Sequence, residues 1–194
     1  MLENVTFQPG SKQERYIQLL SYLEALMAGD SDEMVGALAN ASALIHGSGN
    51  FLWTGFYLVR PCPPRKGGDA RGEELRLGPF QGPVACSRIP YGKGVCGSAW
   101  KEESTIVVED VDKFPGHIAC SSLSKSEIVV PLFYKTAEGK NKGVAGVLDI
   151  DSVEVANFDS TDKLFLERAS DILSRALFTL PSPPCPRQET PADR

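Results

Sequence analysis

The chain has 194 residues, 42% of them hydrophobic and 23% charged, and a net charge of −5. That length and composition suit one globular domain with a substantial core. The acidic balance argues against nucleic acid as a main partner, because phosphate binding needs a basic face, and no apolar run approaches the ~18 residues of a membrane span.

In chain order, "SKQERYIQLLSYLEALMAGD" places Tyr16, Leu19, Leu20, Leu23 and Leu26 at helical spacing and stops at Gly29. "SDEMVGALANASALIHGSG" predicts a second helix, capped by Asp30 or Ser31 and ended by Gly47, with His46 in its last turn. "FLWTGFYLV" is aromatic and β-branched, a strand, and "ELRLGPF" continues as its hairpin partner. Residues 60–74 between them read as a loop insertion. "CSRIPYGKGVCGSAW" follows, with a short helix over "GSAWKEE" and a short strand over "STIVVEDV". "SEIVVPLFYK" and "GVAGVLDIDS" form a second hairpin around "TAEGKNK". "DSTDKLFLERASDILSRALFTL" is a long amphipathic helix capped by Asp159 or Ser160. The order predicts α+β: an antiparallel sheet with terminal helices over one face. The domain is expected over residues 1–180, and the Pro-rich tail 181–194 is expected to be disordered.

The N-terminus lacks the basic start and apolar stretch of a signal peptide, so a cytoplasmic, reducing location is expected. Five cysteines should then be mostly thiols. Cys62 in the insertion and Cys185 in the tail read as exposed and incidental. Cys86, Cys96 and Cys120 need an explanation.

Cys86 and Cys96 flank a glycine-rich bend in which Gly92, Gly94 and Gly97 spell G-x-G-x-x-G. A dinucleotide turn needs a parallel βαβ unit, and antiparallel hairpins surround this one. Zinc prefers closely paired ligands such as C-x-x-C. Cys86 and Cys96 are more loosely spaced, with only His46 and His117 to supplement them, so no metal is expected. For a single cysteine, core filling is the simplest reading. It weakens for three cysteines in loop or loop-edge segments. Cys96 also precedes the short predicted helix, whose N-terminus would lower its thiol pKa.

The strings "WTGFYL", "GPFQGPVACSRIPYGKGVCGSAW", "IVVEDVDKFPGHIACSSLSKSEIVVPL" and "GVLDIDS" closely resemble the free methionine-(R)-sulfoxide reductases, a family built on the GAF domain. The likeness runs from about residue 14 to 178, sparing the insertion and the tail. It implies a six-stranded antiparallel sheet flanked by helices. It also implies reduction of the free amino acid with electrons from thioredoxin, no bound cofactor, and a homodimer as an open alternative. By the same resemblance Cys120 is the attacking nucleophile, Cys86 its disulfide partner and Cys96 a third redox cysteine. Members of the family differ in which cysteine attacks, and the position of Cys96 is the competitor. Glu127, Asp149 and Asp151 match pocket carboxylates, and Trp53 and Tyr57 match aromatic walls.

The residues fit that chemistry. A thiolate attacks the sulfoxide sulfur, and the oxygen needs a proton donor. A carboxyl serves when burial or a second carboxyl raises its pKa. Asp149 and Asp151 alternate with Leu148 and Ile150 and so share one strand face, and Glu127 begins the neighbouring strand. A free amino acid also brings an ammonium group for a carboxylate to bind. Trp53 and Tyr57 would face an S-methyl group, although plain core packing explains them too. On this reading the cysteines are a redox set, and the glycines shape a flexible loop that lets a resolving thiol travel. The rival is a non-enzymatic GAF module sensing a small ligand such as a cyclic nucleotide. It would need no redox thiols and would be expected beside an output domain.

Overall fold

The structure, a computed structural model, describes residues 5–29, 33–63, 72–118 and 121–181. Four helices, α1 (Lys12–Gly29), α2 (Met34–Gly47), α3 (Gly94–Glu102) and α4 (Ser160–Leu177), accompany six strands. These are β1 (Trp53–Pro61), β2 (Glu73–Gln81), β3 (Arg88–Ile89), β4 (Ile106–Val108), β5 (Ser126–Lys135) and β6 (Asn141–Ser152). They form one sheet in the order β3-β2-β1-β6-β5-β4, with every neighbouring pair antiparallel. The β1–β2 and β5–β6 hairpins meet at the β1–β6 pairing, so β6 lies in the middle.

Alternation along the central strands sorts the side chains into two cores. Phe56, Leu58, Ile128, Val130, Leu148 and Ile150 face a layer made by α1, α2 and α4. That is the expected terminal-helix layer. Tyr57, Val59, Val129 and Val147 face the other way, into a smaller core closed by Val95, Ala99 and Trp100 of α3. The first layer is closed by fixed helix ends. The Asp159 side chain accepts from Thr161 and Asp162 N–H groups while Asp162 reaches back, a capping box. Asp162 also takes a hydrogen bond from the Tyr16 hydroxyl at 2.7 Å and pairs with Lys12 at 2.6 Å. One buried carboxylate thus joins the N-terminal turns of α1 and α4.

At α2 the side chain of Glu33 caps the first turn by accepting from Val35 N–H, while the expected caps Asp30 and Ser31 lie outside the described residues. The hairpin strands run to Pro61 and Glu73, which pair with each other, so they take in the ends of the 60–74 segment. Residues 64–71 and 182–194 lie outside the described residues. Among the described residues no helix is long and apolar enough to cross a membrane.

Candidate active site

Strand register assembles the site. On β6, Asp151 stands opposite Glu127 of β5 on one side and Trp53 of β1 on the other. Asp149 stands opposite Val129 and Gly55. Directly paired residues share a face, so the alternation that buries Leu148 and Ile150 in the helical layer turns all three carboxyls toward α3. There Cys96 meets them. Its Sγ lies 3.9 Å from Glu127 Oε1, and the ligand atoms of Cys96, Glu127 and Asp149 all fall within 4.8 Å of one another.

The site is buried. Cys96 is 3% exposed, Glu127 6% and Asp149 7%. Its cavity is lined by hydrophobic Ile89, Val95 and Ile118 and by Cys96, His117, Ser124 and the three carboxyls, with no Lys or Arg among the described lining residues. Burial, then the charges of Asp149 and Asp151, hold the Glu127 carboxyl well above its ordinary pKa. Burial and Asp151 do the same to Asp149. Burial raises Asp151 to about 6, against the hydrogen bond that Ser124 Oγ donates to its Oδ1 at 2.5 Å. Asp151 is therefore the member of the group that gives up its proton most readily, and burial favours the neutral form of the other two.

Cys96 departs from expectation. It does sit in the first turn of a helix, but burial, followed by Asp149 and Glu127, pushes its thiol pKa up, not down. Removal from water next to two acids outweighs a helix-dipole effect that is worth about 0.3–1 kcal/mol at an exposed terminus. The glycine pattern is no phosphate cradle. β3, which leads into it, runs antiparallel to β2, and α3 packs onto the sheet. Nor is the bend a loose loop at Cys96. Gly92 N–H donates to the Gly97 carbonyl at 2.9 Å and Gly97 N–H to Lys93 at 3.1 Å. A Cβ on Gly97 would stand 2.5 Å from the Pro90 carbonyl oxygen. Gly97→Ala is expected to destabilise the protein by about 1–3 kcal/mol, read as a lower melting midpoint; an unchanged midpoint would remove the packing role.

The aromatic wall is built on β1. Trp53 stacks on Tyr57 (centroids 5.9 Å apart) and on Phe80 (5.3 Å), and its Nε1–H donates to the Pro83 carbonyl. Both rings are nearly fully buried and line a second small cavity that shares Asp149 and Asp151 with the first. The Tyr57 hydroxyl donates to the Cys86 carbonyl at 3.0 Å and so holds the loop that carries that cysteine. Cys86 is disulfide-bonded, whereas Cys62 and Cys96 are free thiols. Cys120 lies outside the described residues.

Two lining residues went unassigned in the sequence reading. His117, considered there only as a zinc ligand, places Nε2 3.7 Å from Glu127 Oε2, and burial lowers its pKa. Ser124 fixes Asp151. His46 is elsewhere, with Nδ1 3.2 Å from Thr54 Oγ1 at the end of α2.

Known proteins share this architecture. The GAF domain family model matches residues 34–177. GAF domain-containing protein A of Dictyostelium discoideum is 46% identical over 173 residues, covering 89% of this chain and 99% of that protein. The free methionine-R-sulfoxide reductase of Saccharomyces cerevisiae is 41% identical over 171 residues, covering 86% of this chain and 87% of that protein. The chain belongs to the GAF-domain free methionine-R-sulfoxide reductase family. A solved reductase of this family, from Neisseria meningitidis in complex with its substrate, superposes with a TM-score of 0.78 at 43% identity, covering 90% of this chain and 95% of that one. The six-stranded sheet and helices that the resemblance implied are those observed here.

Proposed function

We propose that the protein reduces free methionine-(R)-sulfoxide to methionine, with Cys120 as nucleophile, Cys86 as resolving thiol, Cys96 in reserve and thioredoxin as reductant. The observation that carries the reading is the buried group of Glu127, Asp149 and Asp151, which has no Lys or Arg among the described lining residues. Such a pocket favours a ligand that supplies a positive charge and uses a proton. A free amino-acid sulfoxide does both. Its ammonium group pairs with the Asp151 carboxylate, and its oxygen takes a proton from the neutral Glu127 carboxyl.

The Cys120 thiolate attacks the sulfoxide sulfur. Net, oxygen passes from the methionine sulfur to the cysteine, leaving methionine and a Cys120 sulfenic acid. The Cys86 thiol condenses with that acid, forming the S–S bond and releasing water. A thioredoxin dithiol then reduces the disulfide and is itself oxidised. Two features support this division of labour. Cys96 is a buried thiol held protonated beside two acids, a poor standing nucleophile. Cys86 is already a disulfide partner, and neither free described cysteine is its mate. A cyclic-nucleotide sensor fits less well, because the Asp151 carboxylate repels a phosphodiester and no Lys or Arg among the described lining residues would pair with it.

Mixing reduced protein with free methionine-(R)-sulfoxide should release about one equivalent of methionine without any reductant, and thioredoxin with NADPH-driven recycling should make release continuous. No methionine from the (R) form would refute the reading. The ammonium role makes a separate prediction. KM should rise as pH falls through about 6 and Asp151 takes a proton. Asp151→Asn should raise KM about 10- to 100-fold, the weight of a charge-assisted hydrogen bond, and flatten that dependence. An unchanged KM profile in the variant would move ammonium binding to another group.

A further inference from the structure

The catalytic reading uses the carboxyls as proton donor and ammonium partner and leaves Cys96 in reserve. The same atoms pose a separate coordination question. Cys96 Sγ, Glu127 and Asp149 present one thiol sulfur and two carboxyl oxygens within 4.8 Å of each other. The Cys96 Sγ–Glu127 Oε1 separation is 3.9 Å. A tetrahedral zinc ion with bonds of about 2.0–2.3 Å sets ligand separations of roughly 3.3–3.8 Å. The three groups therefore need to close by a fraction of an ångström to at most about 1.5 Å.

A second observation points to a missing ligand. Asp149 is 7% exposed and lines the cavity, and its Oδ1 is buried with no hydrogen-bond partner among the described residues. An orphaned buried carboxyl oxygen is costly and calls for a cation or a donor. The described lining residues supply no Lys or Arg. The cavity itself has about 30 Å³ of room for water-sized groups, enough for a single ion or water.

We propose that Cys96, Glu127 and Asp149 form a binding site for a borderline-soft divalent cation, best met by Zn²⁺, in the form of the protein whose Cys86 is disulfide-bonded. Sulfur beside hard oxygens selects zinc over magnesium or calcium, and three protein ligands leave a fourth position for water. Coordination displaces the thiol proton and those of the acids, so binding tightens as pH rises. The dication offsets the three negative charges that would otherwise sit together out of water. The set has no linear motif, because its members come from α3, β5 and β6 and meet only through strand register and helix packing. Metal binding stands on this geometry alone; its mutual exclusion with substrate rests on the reductase reading, since both use Glu127.

The test is titration of oxidised, full-length, chelator-treated protein with Co²⁺, whose bond to a thiolate gives a near-ultraviolet charge-transfer band. The expected result is about one equivalent bound, a charge-transfer band, and displacement by Zn²⁺. Cys96→Ser should abolish the band, and Asp149→Asn should weaken binding at least about tenfold. Both are near-isosteric, and each variant's melting curve checks that it folds. No band in the unmodified protein, or a band that survives in folded Cys96→Ser, overturns the proposal. Free methionine, added last, should bleach the band; a band that appears on schedule but resists methionine keeps the metal site and counts against the shared substrate pocket.

Discussion

In a single turnover without reductant, Cys120→Ser should release no methionine, a loss of roughly 10³-fold or more in rate, the scale of removing a nucleophile. Cys86→Ser should still release about one equivalent and then stall, because the resolver acts only after product has formed. Slow recovery through Cys96 or an added small thiol would follow. Cys96→Ser should turn over once with little change. The reason lies in the site. The Cys96 thiol is buried against Glu127 and Asp149, which hold it protonated. A full equivalent of methionine from Cys120→Ser with none from Cys96→Ser would transfer the attack to Cys96. Quantifying methionine per protein for the three variants decides it.

Glu127→Gln is expected to lower kcat/KM by about 10²- to 10⁴-fold, the usual weight of a general acid. The pH profile carries the sharper evidence. Burial and two neighbouring acids keep the Glu127 carboxyl protonated well above the ordinary carboxylate range. The acid form is the active one, so activity persists while the proton is held and falls as pH rises through the elevated pKa. Glutamine keeps the shape of the side chain but has no acidic proton to give. The variant should therefore lose both rate and the alkaline fall that belongs to this group. A Glu127→Gln enzyme within a few-fold of normal, with the alkaline limb intact, would place the proton donor elsewhere, with neutral Asp149 the next candidate.

The fold was legible where periodicity was strong. The helical spacing of Tyr16, Leu19 and Leu23 and the Asp159 cap both match the structure. The alternation of Leu148, Asp149, Ile150 and Asp151 correctly put two carboxyls on one face. β3 was not legible, because a two-residue strand has no period to read. The environment of Cys96 was misjudged for a related reason. Helix position is a local property and suggested a lowered pKa, whereas the acids that raise it arrive from β5 and β6. Ser124, three residues before Glu127, and His117 carry no periodic signal, and their places depend on how the loop before β5 folds over the sheet.

The buried carboxyls should select a free amino-acid sulfoxide. The most direct measurement compares NADPH consumption in a thioredoxin-coupled assay with free methionine-(R)-sulfoxide and with its N-acetylated form, at equal enzyme. Acetylation removes the ammonium charge and leaves the sulfoxide unchanged, so Asp151 loses its partner. Turnover of the free form is expected, with a loss of about 10²-fold or more in kcat/KM for the acetylated one. Comparable rates on the two would contradict it.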